Sequence, residues 1–180
     1  MLPGDYQVQL GYVGDTVSTS IRVESDPRRD YDLEGMMAKQ DTTDRLIEKL
    51  KELDKALGEI RKCQESYKLV EKLVGEGPPE EYKETSKSVK SELDRISKLI
   101  FRDESVQGIY YPSDALSVKM GGTYSITGAT QPLTPNQLQK YYQYMSLADE
   151  TLLMIRTFMD NQWRVYKELV DKSEVSLFQE

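Results

Sequence analysis

The chain contains no histidine and a single cysteine, Cys63. Without histidine it lacks the commonest general base and the commonest zinc ligand, which excludes serine-hydrolase triads and most zinc enzymes built on imidazole. One cysteine can make neither an intrachain disulfide nor a cysteine-based metal site, and it leaves the redox compartment unread. No apolar run approaches the roughly 18 residues of a membrane span, and the N-terminus lacks the charged and apolar regions of a signal peptide. A basic surplus is missing too: 24 Lys and Arg stand against 31 Asp and Glu, a net charge of −7, and the two signs are interleaved along the chain. Nucleic acid and anionic lipid require Lys and Arg gathered on one face, so neither is expected as the main partner.

What remains is 180 residues, 38% hydrophobic and 31% charged, with three Phe, one Trp and twelve Tyr. That suits one soluble domain, or one and a fragment, rich in amphipathic helix. The opening "MLPGDY" starts almost directly inside a strand, as expected of a cut boundary with an added Met rather than a natural start. Tyr6, Val8, Leu10 and Tyr12 alternate with polar residues and Gly11, and Val17, Thr19, Ile21 and Val23 follow a turn around Gly14-Asp15. Period-two alternation on both sides of a glycine turn predicts a β-hairpin. A lone hairpin is marginal in water. Its apolar face must therefore rest on helices, on a neighbouring chain, or on further strands.

Asp26-Pro27 ends the second strand. From about Leu33 the apolar period changes to alternating three- and four-residue steps through Met36, Thr43, Leu46, Leu50, Leu53, Leu57, Ile60, Gln64 and Tyr67, then Val70 and Val74. This predicts a first helix of about 40 residues, roughly 60 Å long, closed by the glycines and prolines of 75–79. Tyr82, Ser86, Val89, Leu93, Ile96 and Ile100 repeat the spacing in a second helix opening at Pro79-Glu80-Glu81. Thr134-Pro135 with Gln137 predicts a capping box for a last long helix. Its stripe is Leu138, Tyr141, Met145, Ala148, Leu152, Ile155, Met159, Gln162, Tyr166 and Leu169, with Tyr142 and Trp163 beside it.

Between these helices, a short or broken helix capped by Ser113 or Asp114, with Leu116, Met120 and Tyr124 on one face, is weakened by Gly121-Gly122. The conformation of 108–132 is otherwise left open, and the tail after Lys172 is expected to fray. The expected fold is mainly α: an antiparallel bundle of three long helices, with room for a short fourth, preceded by a β-hairpin. The expected units are 1–28, the hairpin, and 29–180, the bundle.

Three constellations invite a chemical reading. Asp30, Asp32, Glu34 and Gly35 match positions 1, 3, 5 and 6 of a calcium-binding EF-hand loop, but the twelfth position is Asp41 rather than Glu and a strand leads in. An acidic linker running into a first helical turn accounts for the same residues. Tyr110, Tyr111, Tyr124, Tyr141, Tyr142 and Tyr144 could form a sugar- or peptide-binding surface, although Tyr141 falls on the helical stripe and Tyr142 next to it. The pairs Glu80 and Glu81, and Glu48 and Glu52, have the residue type of a glycosidase dyad, yet lie beside Lys at surface helical spacing. Cys63 neighbours the stripe and reads as a buried small residue. No catalytic, cofactor-binding or metal-binding residue is therefore assigned, and no cofactor is expected.

The order of signals resembles one family. "PGDYQVQLGYVGDTVSTSIRVESDPR", with Pro3-Gly4-Asp5-Tyr6 at one end and Asp26-Pro27-Arg28 at the other, resembles the closing hairpin of a β-sandwich. That sandwich occurs in large bacterial proteins labelled glycosyl hydrolases with bacterial-neuraminidase repeats, which carry a sortilin-like β-propeller upstream. "YPSDAL" (111–116) and "ATQPLTPNQ" (129–137) look like that family's link into its last helix. The resemblance implies that the strands are the severed edge of a sandwich, followed by the C-terminal helical accessory part of a larger, extracytoplasmic protein. Asp-box motifs and the arginines of a sialidase pocket are absent, so no catalytic role carries over. The expected function is a non-catalytic structural or interaction module whose partner is its own upstream sandwich and propeller, or another protein. The alternatives are an oligomerisation element, forming a homodimer through the long heptad helix, and a carbohydrate-binding accessory domain.

Overall fold

The computed structural model describes residues 2–28, 30–74, 78–100 and 115–172. The chain is mainly helical with an N-terminal antiparallel hairpin. Strands β1 (Gly4–Tyr12) and β2 (Asp15–Val23) pair without a bulge from Gly4↔Val23 to Tyr12↔Asp15. The turn is Val13-Gly14, one residue earlier than the sequence suggests, and Asp15 is already the first residue of β2. Both turn residues have positive φ, 48° and 95°, the signature of the mirror-image two-residue turns that match strand twist. Glycine takes that conformation freely, whereas valine does so under strain.

Helix α1 (Leu33–Leu73) is 41 residues long and starts where the Asp32 carboxylate accepts the Gly35 amide at 2.8 Å. Its buried residues Thr43, Leu46, Leu53, Ile60 and Tyr67 lie on the expected stripe, whereas Cys63 is buried in place of the expected Gln64, which is half-buried. The glycines expected to end it, Gly75 and Gly77, lie outside the described residues. Helix α2 (Glu80–Ile100) buries Tyr82, Ser86, Val89, Leu93, Ile96 and Ile100, each at a position the heptad spacing marks.

The link into the last helix is broken, as the two glycines suggest. It runs as α3 (Leu116–Lys119), a 3-10 turn (Met120–Thr123) and α4 (Tyr124–Thr127). Its expected caps, Ser113 and Asp114, lie outside the described residues, as do Tyr110 and Tyr111. The 3-10 turn changes the phase of the face: Leu116 and Met120 are buried, but the third buried residue is Ile126, and Tyr124 is 75% exposed. A side chain at Gly122 would run into the Tyr144 hydroxyl, so glycine permits the turn's close approach to the following helix.

Helix α5 (Pro135–Phe158) carries the expected capping box: Thr134 Oγ1 accepts the Gln137 amide at 3.3 Å, and Gln137 Oε1 accepts the Thr134 amide at 2.9 Å. Gln137 Nε2 also donates to the Ser125 carbonyl at 2.7 Å, tying the cap to α4. A π turn (Met159–Trp163) follows and leads into α6 (Arg164–Lys172) without a break. The π turn holds one residue more than α geometry would. It carries the buried stripe from Phe158 to Trp163 and then Tyr166, so Trp163 is inside and Gln162 outside. Assigning Gln162 to the stripe assumed an unbroken α period, and this turn overturns it.

Cross-helix contacts fix the directions. Tyr67 meets Ser86 and Glu71 meets Tyr82, so α1 and α2 run opposite ways. Lys49 pairs with Asp149, Glu52 with Arg156, and Cys63 meets Met159, so α1 runs parallel to α5 and its continuation. One core joins Leu53, Ile60, Val89, Leu93, Ile96, Leu152, Ile155 and Tyr166, and a smaller cluster of Leu46, Ile126 and Tyr141 closes the other end.

Candidate functional site

Two features stand out from ordinary packing: a hydrogen-bonded tyrosine cluster inside the helices, and an uncovered sheet face outside them. The cluster forms where α1 ends and α2 begins. Tyr67 and Ser86 share a hydrogen bond of 3.0 Å. Glu71 Oε1 accepts from Tyr82 at 2.9 Å and from Ser86 Oγ at 2.8 Å, and the Tyr82 and Tyr166 hydroxyls stand 3.4 Å apart. The Tyr166 ring contacts Tyr67 at 5.6 Å, Tyr82 at 6.0 Å and Trp163 at 5.4 Å between centroids. Burial pushes all three phenols above their ordinary range, Tyr166 furthest, and they stay protonated and hydrogen-bonding near neutral pH. Such a cluster locks helices together.

Sequence reasoning did not bring these tyrosines together, although a signal existed. Tyr67 and Ser86 lie equally far on either side of the 76–77 midpoint, and so do Glu71 and Tyr82. Two helices folding back at that midpoint must juxtapose both pairs.

The other candidates are separated or occupied locally. Asp32 is the α1 cap, Glu34 lies in the first turn of the helix, and Asp41 pairs with Arg45 at 2.8 Å, so a helix occupies the span that an EF-hand loop would need to wrap. Glu80 pairs with Lys83 at 3.2 Å, and Glu52 with Lys49 and Arg156, both at 2.9 Å. Asp149 adds to this exposed network and, with Glu52, pushes the Lys49 ammonium above its ordinary range. Tyr141 is core, Tyr142 packs edge-on against it at 5.2 Å, Tyr144 is half-buried against Gly122, and Tyr124 points to solvent. The Cys63 thiol donates toward Met159 Sδ at 3.5 Å, and burial pushes it up to about 11, the opposite of an activated thiolate.

Two concavities lie among the described residues. One of about 460 Å³ lies between α2 and the π turn, lined by Thr85, Ser88, Val89, Gln162 and Val165 among others. Another of about 230 Å³ lies at the hairpin root, where Pro3 and Val23 meet Met36 and Pro132. Beyond that root Val8, Leu10, Tyr12, Val17 and Ile21 of the strands are all exposed. No family model matches the chain, and comparison with curated proteins and with solved structures gave no match either.

Proposed function

We propose that this chain is a non-catalytic interaction module: an up-down-up bundle of α1, α2 and the continuous α5–α6 helix, carrying a hairpin that docks it elsewhere. The carrying observation is that the helices bury their apolar stripes in one shared core while the hairpin leaves its apolar residues in solvent. This asymmetry supports dividing the chain at 1–28 and 29–180. The resemblance of Pro3-Gly4-Asp5-Tyr6 and Asp26-Pro27-Arg28 to a sandwich-closing hairpin fits the same reading. It makes the chain the C-terminal accessory part of an extracytoplasmic propeller-containing protein, with the upstream domains as partner. Nucleic acid is disfavoured by the interleaved charge, and among the described residues no helix is long and apolar enough to cross a membrane.

The oligomerisation reading requires a seam on α1 left over for a second chain. The heptad stripe is already used within the chain. On the opposite face, Leu33, Met37, Ile47 and Leu69 are separated by the exposed Lys51, Lys55, Lys62 and Glu65, which would break a coiled-coil seam. Sedimentation equilibrium tests the choice. A monomer, or weak association abolished by Leu10→Lys in the hairpin, is expected. A dimer insensitive to Leu10→Lys but dissociated by Ile47→Glu or Leu69→Glu overturns the reading in favour of oligomerisation.

A further inference from the structure

We propose that Tyr82 and Glu71 form a one-electron redox site, where an oxidising equivalent that enters at Trp163 comes to rest as a tyrosyl radical with its proton on the carboxylate.

The chain has one Trp, and it stands at the end of a run of ring contacts. Trp163 meets Tyr166 at 5.4 Å between centroids, and Tyr166 meets Tyr67 at 5.6 Å and Tyr82 at 6.0 Å. All four rings are buried. Electrons tunnel readily between rings in contact, so a hole on one of them reaches the others.

The proton fixes where that hole stops. An oxidised phenol is a strong acid, and a tyrosyl radical forms most readily where a base within hydrogen-bond reach takes the proton as the electron leaves. The three phenols differ in what their hydroxyls meet. Tyr82 donates to Glu71 Oε1 at 2.9 Å, and Glu71 is exposed, so the carboxylate can pass a proton on to water. Tyr67 shares its 3.0 Å hydrogen bond with the Ser86 hydroxyl, and the Tyr166 hydroxyl faces that of Tyr82 at 3.4 Å. A neutral hydroxyl is a poor base. Cys63 is the rival sink in the same core, but its buried thiol donates toward Met159 Sδ at 3.5 Å, and a thioether is only a weak acceptor.

The step balances. A one-electron radical oxidant, carbonate radical anion, takes an electron from the indole and becomes carbonate. The Trp163 cation radical recovers an electron from Tyr82 by way of Tyr166, and the Tyr82 proton moves along the existing hydrogen bond to Glu71. The products are a neutral indole, a neutral tyrosyl radical and a carboxylic acid that returns its proton to water. The hole is thereby moved from the interior of the bundle to the place where α1 ends and α2 begins.

The test uses the intact chain. Light at the red edge of the indole absorption, where phenols are transparent, excites Trp163 alone. Hexaamminecobalt(III), a cation drawn to a chain of net charge −7, takes the electron and is reduced to cobalt(II). Transient absorption should show the tyrosyl band growing as the indolyl band decays, and growing more slowly in heavy water. A nitroso spin trap, located by peptide mass spectrometry, should label Tyr82. Tyr82→Phe and Glu71→Gln should each slow tyrosyl growth by at least an order of magnitude, and Tyr67→Phe should leave it unchanged, with parental circular dichroism in all three variants. Glu71→Gln keeps a hydrogen-bond acceptor and removes the base. Indolyl decay without a tyrosyl, a label on Tyr67, Tyr166 or Cys63, or growth indifferent to Tyr82→Phe overturns the site. Growth sensitive to Tyr82→Phe but not to Glu71→Gln overturns it as well, because the carboxylate then takes no proton.

Discussion

The hydroxyls of Tyr82 and Tyr166 stand 3.4 Å apart although 84 residues separate them in sequence. The contact is long, and Tyr82 has a better partner in Glu71 at 2.9 Å. The Tyr166 ring, packed on Tyr67, Tyr82 and Trp163, should therefore matter more than its hydroxyl. Tyr166→Phe is expected to change stability by less than about 1 kcal/mol, and Tyr166→Ala to cost about 3–5 kcal/mol in urea unfolding.

The same cluster sets an alkaline limit. Burial raises the folded-state pKa of Tyr67, Tyr82 and Tyr166 above the ordinary 10.0. The unfolded chain thus releases its phenolic protons first. The stability they contribute is complete below about pH 10 and is lost as pH rises through the raised folded values. Tyrosinate absorbance and circular dichroism followed together should show these tyrosines ionising only as the helices melt. Tyr166→Phe should move that alkaline midpoint upward.

The π turn gives a comparison of neighbours. With Trp163 buried and Gln162 exposed, Trp163→Ala should cost about 3–5 kcal/mol, and Gln162→Ala less than about 0.5 kcal/mol. An unbroken α-helix, with Gln162 on the stripe, would bring the two costs together.

Two glycines of α1 should respond in opposite ways. A methyl group at Gly58 meets nothing within 4 Å, so Gly58→Ala should stabilise by about 1 kcal/mol through helix propensity. At Gly35 the same group overlaps the Asp32 carboxylate that caps the helix and comes within 3.0 Å of Pro132 Cβ. Losing the cap costs about 1 kcal/mol, so Gly35→Ala should show no gain or a net loss in Tm.

In the hairpin turn, Val13 holds a φ of 48° that suits asparagine far better. Val13→Asn should slow amide hydrogen exchange across residues 4–23 and leave the Tm of the helices unchanged.

How far the sequence reaches depends on how local the determining physics is. The α2 stripe, the Thr134 cap and the existence of the hairpin were legible because each follows from a fixed period or a three-residue motif. Gln162 and Tyr124 were misplaced because a π turn and a 3-10 turn shift the phase, and nothing in 159–163 or 120–123 alone announces by how much. The hairpin turn came one residue early because valine in a left-handed conformation contradicts its own preference. The tyrosine cluster was hidden by distance, since the Tyr110-to-Tyr144 group is close in sequence, whereas Tyr67, Tyr82 and Tyr166 converge only once three helices are in place. The exposed hairpin face is a property of what does not pack on it, which periodicity cannot state.

The central claim, that the helices are self-sufficient and the hairpin faces elsewhere, is tested most directly by thermal unfolding of the chain lacking residues 1–28, followed by circular dichroism. The account predicts that helicity per residue and Tm stay within a few degrees of the intact chain, in a monomer. Collapse of the helices without the strands would show that the hairpin covers essential core, and would contradict it.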